Sequence, residues 1–322
     1  MDQPSARRRI PRDLGAFDID AQPTQPTPRV AYPRAIDIDR EPTQRMRQVV
    51  RPDGIDAQPT RRIQRVVAAA KSAARKVPEV TIFFWIIKIL TTGMGETTSD
   101  YLVRTINPFL AVGIGGTAFF AALALQFLAR RYVPWVYWLA VAMVAIFGTM
   151  VADAIHVQLG VPYVISASCF AIALAAIFAI WYASEKTLSI HTIYTRRREL
   201  FYWTTVVTTF ALGTAVGDMT ASTLHLGYFI SGVLFAALFA LPALGYWLFG
   251  LSEVAAFWFA YIVTRPLGAS FADWFGRPRS LGGFGLGTGL ISLILAIIIV
   301  GFVGYLAITR SDVENGTSRT SA

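Results

Sequence analysis

The stretch WIIKILTTGMGETTSDY, Trp85 to Tyr101, decides how this chain is read. Trp85 is followed ten residues later by Gly95, and Gly95 five residues later by Asp100. The same spacing returns as Trp138, Gly148 and Asp153, as Trp203, Gly213 and Asp218, and as Trp258, Gly268 and Asp273. An aromatic residue precedes each Trp: Phe84, Tyr137, Tyr202 and Phe257. Recurrence in one register is an internal repeat, and each copy lies in an apolar run.

The composition says what kind of repeat. Of 322 residues, 54% are hydrophobic and only 15% charged, too apolar for an ordinary soluble domain. Runs of roughly 20 apolar residues, enough to cross about 30 Å of hydrocarbon, fall near 80–101, 108–129, 133–156, 162–182, 201–224, 227–249, 251–273 and 284–308. They are too long for barrel strands, and backbone groups in lipid must be satisfied within the segment. The expected fold is therefore an all-α polytopic membrane protein of eight transmembrane helices. Odd-numbered spans carry the motif and even-numbered spans are plainly apolar, so the unit is a two-helix hairpin, used four times in parallel orientation over 79–130, 131–185, 199–250 and 251–309.

On these Trp, Gly and Asp positions, above all in WIIKILTTGMGETTSDY and YWTTVVTTFALGTAVGD, residues 77–310 resemble a bacterial family of membrane-anchored proteins with four tandem two-helix repeats of unknown function. The resemblance implies architecture and no activity.

The N-terminal region differs in kind. Residues 1–76 hold 16 Lys/Arg against 9 Asp/Glu, so they supply +7 of the net +9. Rich in Pro, Gln and Thr and poor in aromatics, residues 1–60 are expected to be a disordered cytoplasmic tail, and 310–322 a second one. No apolar signal-peptide core precedes the first span. The tail repeats DIDAQPTQ, DIDREPTQ and GIDAQPTR, which makes Thr24, Thr43 and Thr60 candidate phosphosites, although low-complexity drift explains the pattern as well. In 61–78, Ile63, Val66, Val67, Ala70, Ala74 and Val77 fall at helical spacing among Arg and Lys. This reads as an interfacial helix on anionic lipid. The basic balance thus points to a membrane surface and not to nucleic acid.

Orientation follows the short loops. Arg130, Arg131, Lys186, Arg196, Arg197 and Arg198 lie on the tail's side, which places both termini in the cytoplasm at the inner membrane. Arg104, Arg277 and Arg279 count against this. Lone Cys169, within an apolar span, reads as a small core residue.

Candidate chemistry lies in the carboxylates. Fifteen residues of helix span about 22 Å, so a Trp at the cytoplasmic interface, as an interfacial anchor, puts each Asp near the opposite end. Gly allows close helix approach. The residue after each Gly, in turn Glu96, Thr149, Thr214 and Ala269, lies one turn deeper on the Asp face. Carboxylates in a membrane are costly and face each other, water or a cation. Asp100 and Asp273 have Arg104 and Arg277 at i+4, a salt-bridge spacing. Asp153 has His156 at i+3 and Asp218 has His225 at i+7, so Asp153, His156, Asp218 and His225 form a candidate ligand set for a divalent metal or a proton relay. Lys88 is expected to snorkel to the interface. Arg265 is too deep for that and calls for Glu96 or an Asp, with Pro266 breaking its helix.

No P-loop, GxGxxG, HExxH, CxxC or nucleophile elbow occurs, so an enzyme is not expected. Two readings follow. One is a secondary transporter or exporter of a small cation along Glu96, Asp100, Asp153, His156, Asp218, His225, Arg265 and Asp273, with no cofactor other than a metal ion as substrate. The other is a membrane anchor or sensor whose tail is read by phosphorylation or lipid. Convergence of the Asp residues separates them.

Overall fold

The computed structural model describes residues 75–313. Thr24, Thr43, Thr60, the three tail repeats and most of the expected interfacial helix lie outside them. Among the described residues there are eight long helices: α1 (Ile82–Thr105), α2 (Pro108–Leu128), α3 (Pro134–Asp153), α4 (Tyr163–Glu185), α5 (Arg196–Asp218), α6 (Gly227–Phe249), α7 (Glu253–Gly276) and α8 (Thr288–Thr309). Seven are long and apolar enough to cross a membrane. The other, α1, carries Lys88, Glu96, Asp100 and Arg104, which lower its hydropathy.

Burial divides the helices into two classes. The motif helices α3, α5 and α7 are 61, 56 and 67% buried over their most apolar windows, whereas α2, α4, α6 and α8 are 22–28% buried. The second class turns Phe109, Phe120, Ile172, Leu248 and Ile297 outward, as a lipid-facing shell does. Cys169 is exposed on this shell, not in the core.

The motif helices form a closed ring, α1 on α3, α3 on α5, α5 on α7 and α7 on α1. Each outer helix packs chiefly on the motif helix of the following repeat: α2 on α3, α4 on α5, α6 on α7, and α8 back on α1. Every repeat thus lends its second helix to its neighbour.

The repeat residues make that ring. The aromatic before each Trp packs against the Trp of the next repeat: Phe84 on Trp138 (5.7 Å between ring centroids), Tyr137 on Trp203 (5.7 Å), Tyr202 on Trp258 (6.3 Å) and Phe257 on Trp85 (5.6 Å). The Tyr137 and Tyr202 hydroxyls hydrogen-bond to one another. Trp138, Trp203 and Trp258 are buried, so they are not the interfacial anchors expected from their place near helix ends; they form the floor of the core at one end of the ring.

Each repeat Gly likewise faces the residue seven after the next Trp. A Cβ on Gly95 would overlap Ala145, one on Gly148 would only touch Phe210, one on Gly213 would lie 2.5 Å from Arg265 Cγ, and one on Gly268 would overlap Thr92. Close approach is the role of Gly here, and three of the four sites have no room to spare. The missing side chain at Gly268 lets Thr92 Oγ1 donate across the interface to the Thr264 carbonyl, at 3.0 Å.

Residues 75–78 are irregular with a bend at Val77, not the end of a helix, since Pro78 disfavours the helical region at Val77. They are wedged under the aromatic end. Lys76 Nζ bonds Glu199 Oε2 at 2.5 Å and the Phe127 carbonyl at 3.2 Å, and its own carbonyl accepts from Gln126.

Candidate functional site: the acidic end of the ring

Opposite the aromatic floor, the four motif helices bring their carboxylates together. One oxygen from each of Glu96, Asp218 and Asp273 lies within 4.8 Å of the others, a spacing that would hold a cation. Glu96, Asp218 and Asp273 border a tight cleft with Thr214, Tyr228 and Ser270, too narrow in this conformation to admit a water molecule. Asp153 stands within electrostatic reach of Glu96, Asp100 and Asp273. The four Asp residues therefore form one layer with Glu96.

Arg265 closes the layer from below. It is fully buried, and the two N–H groups of its Nη2 are shared among three acceptors, Glu96 Oε2 (2.7 Å), Thr149 Oγ1 (2.5 Å) and Thr214 Oγ1 (2.8 Å). Those three acceptors are the residues directly after the repeat Gly in repeats 1, 2 and 3. The fourth position is Ala269, which has nothing to offer, and repeat 4 supplies the arginine instead. Pro266 does not break α7, which runs unbroken from Glu253 to Gly276.

Lys88 does not snorkel. Its side chain points into the ring, 1% exposed, with Nζ 4.0 Å above the Phe210 ring and 4.2 Å from that of Tyr261. No hydrogen-bond acceptor reaches it among the described residues. Two aromatic faces offset part of the cost of an ammonium there.

The four Asp residues are held in two ways. Asp100 pairs with Arg104 at 3.2 Å and with Arg277 at 3.1 Å, and Asp273 pairs with Arg277 at 2.9 Å, so one guanidinium joins α1 to α7. Burial lowers the Arg277 pKa, but the carboxylates of Asp273 and Asp100 outweigh it and keep the side chain charged. Asp153 and Asp218 have no ion pair among the described residues. Each is instead the last α-helical residue before a π turn, Ala154–Gln158 after α3 and Met219–Thr223 after α5. Such turns often mark functional sites in helices.

The histidines do not join them. His156 uses Nδ1 on the Val161 carbonyl (3.0 Å) and Nε2 on Ser166 Oγ (3.4 Å), and its ring lies against Tyr163. His225 is exposed at φ 55°, past the second π turn. The ligand set Asp153, His156, Asp218 and His225 is thus not assembled. The wider turn adds a residue and carries both imidazoles away from the face that α-helical spacing assigned to them. What is assembled is an all-oxygen set, which suits a hard cation or protons better than a soft transition metal.

In comparison with known proteins, the family described as Repeat of Unknown Function (DUF347) matches four times, over residues 83–132, 136–187, 201–250 and 256–312. The chain belongs to this family. No curated protein and no solved structure matches it.

Proposed function

We propose that this protein is a secondary transporter or exporter of a small cation, a divalent metal or one moved in exchange for protons, taken up at Asp218 where its carboxylate meets those of Glu96 and Asp273. The carrying observation is the convergence of these three carboxylates, one oxygen of each within 4.8 Å of the others. In this reading all eight helices span the membrane as four parallel hairpins, and no enzymatic step is involved. Repeats that meet at a polar site are a common plan of transporters.

Each residue then has a role. Asp153 and Asp218, without guanidinium partners, are the groups free to bind or relay a cation. Arg265 is a fixed counter-charge that holds Glu96 when no substrate is present. Orientation fits a cytoplasmic inner-membrane protein with both termini inside: Arg130, Arg131, Lys186, Arg196 and Arg310 flank the aromatic end, while Arg104 and Arg277 at the acidic end are committed to Asp100 and Asp273, which leaves Arg279, among the described residues, as the one arginine of the acidic end against it.

The second reading, an anchor or sensor acting through its tail, draws on the three arginines that already neutralise part of the layer. Flux decides between them. Proteoliposomes of the purified protein, loaded with a pH indicator, are given Mg, Mn, Ca and monovalent cations in turn. Transport predicts proton or metal movement for at least one cation, lost in Asp218→Asn. No movement across the panel under either pH gradient would leave the anchor reading.

A further inference from the structure

A second feature lies at the aromatic end, away from the carboxylates. A groove of about 430 Å3 opens between the turn joining α2 to α3 and the C-terminal end of α8. That volume is within the range of ligand sites, roughly 300–1,000 Å3. Arg131 and Arg310 stand on its rim, both exposed, and neither side chain has an ion pair or hydrogen-bond acceptor among the described residues.

The acidic groups in the groove are already engaged. Glu79 pairs with Arg75, and Asp312 accepts the Tyr132 hydroxyl. Burial also raises the Asp312 pKa above the ordinary carboxylate value, against the pull of the Tyr132 hydrogen bond. The free charge of the groove is therefore positive. In addition, α3 begins here with Val133 at its N-cap and no side-chain cap, which leaves the Trp135 and Val136 amides without a side-chain acceptor, since Pro134 has no N–H and the Tyr137 amide donates to the Val133 carbonyl.

The groove also continues into the lipid-facing surface. Ala307 and Trp135 line it, and Leu139, Tyr305 and Ile308 beyond them are 44, 47 and 85% exposed. A cationic rim above an apolar flank, at the ends of two apolar helices, complements an amphiphile with an anionic head. We propose that this groove seats the headgroup of an anionic phospholipid, with Arg131 and Arg310 on the phosphate and Trp135 along the glycerol. Two arginines on one phosphate make charge-assisted bonds of the stronger kind.

The test uses the full-length protein in neutral detergent. It is titrated with phosphatidylglycerol, phosphatidylcholine or free glycerol phosphate while thermal unfolding and, by native mass spectrometry, retained lipid are read. Phosphatidylglycerol should be retained and raise the unfolding midpoint, phosphatidylcholine and glycerol phosphate should do neither. In the Arg131→Gln/Arg310→Gln double variant the affinity should fall about 30-fold, or about five-fold for each arginine beside an anionic surface. Arg196→Gln, on a different loop at the same end, should leave it unchanged, which separates the groove from the general basic charge. Since both arginines are exposed, folding should survive; the single variant Arg310→Gln, with about a five-fold loss, repeats the test if yield is low. Undiminished phosphatidylglycerol binding by the double variant would overturn the site, and stabilisation by glycerol phosphate equal to that by the lipid would overturn the lipid as its occupant.

Discussion

Repeats 1 and 4 and repeats 2 and 3 use the same Asp in opposite ways. In repeats 1 and 4 the helix continues past Asp100 and Asp273, and an arginine one turn on returns to the carboxylate. In repeats 2 and 3 the helix widens into a π turn after Asp153 and Asp218, and no cation follows. One pair fastens α1 to α7 through Arg277; the other has no ion pair among the described residues. A ring of four like units is thus divided into a half held by ion pairs and a half without them.

That division can be broken from several directions. The largest effect is expected at Arg265, whose loss strands Glu96 as a buried charge without a partner. Arg265→Gln should cost about 3–5 kcal/mol and abolish expression, and Glu96→Gln in the same chain should restore yield by removing the stranded charge. If the double variant were no better than the single, Arg265 would be needed for packing and not for charge. Next comes Gly268→Ala, whose Cβ would overlap Thr92 Oγ1 and stand 2.5 Å from the Ile89 carbonyl oxygen. Overpacking of about 1–3 kcal/mol should appear as a lower thermal midpoint, whereas Gly148→Ala, with Phe210 Cβ at 3.4 Å, should be nearly silent. Equal midpoints for the two would deny that the ring is tight at Gly268.

The smallest effect tests the far end of the molecule. Burial holds Asp312 above the ordinary carboxylate range, so the folded state binds its proton more tightly than the unfolded chain does. Its contribution to stability is then full at low pH and fades as pH rises through the folded-state value. The midpoint should decline slightly over that window, and Asp312→Asn should flatten the decline. An unchanged slope in the variant would remove Asp312 as its source.

Much of this was legible in the sequence because the spacing of ten and five residues fixes levels along a helix. It placed Trp at one end of each motif helix and Asp at the other, and it set Asp100 and Asp273 apart by Arg104 and Arg277. Depth also gave Arg265 its partner Glu96, but not Thr149 and Thr214, which stand at the same level on the neighbouring motif helices. What spacing does not contain is direction around the axis. Whether Trp138 faces lipid or a neighbouring ring, and whether Lys88 reaches water or the interior, depends on which helices stand beside it. The lending of α2, α4, α6 and α8 to the next repeat was unreadable for a related reason, because those helices are apolar all round. His156 was misplaced by assuming an α-helical turn where the chain makes a π turn.

The central claim is the division of labour within the Asp layer, and four single variants measure it: Asp100→Asn, Asp153→Asn, Asp218→Asn and Asp273→Asn, each assayed for yield and for cation flux in proteoliposomes. Asp153→Asn and Asp218→Asn should insert and purify like the parent, since they remove an unpaired intramembrane charge, yet lose flux. Asp100→Asn and Asp273→Asn should instead lose yield by leaving Arg277 short of a carboxylate. Uniform behaviour of the four, or full flux through the Asp153 and Asp218 variants, would contradict the account.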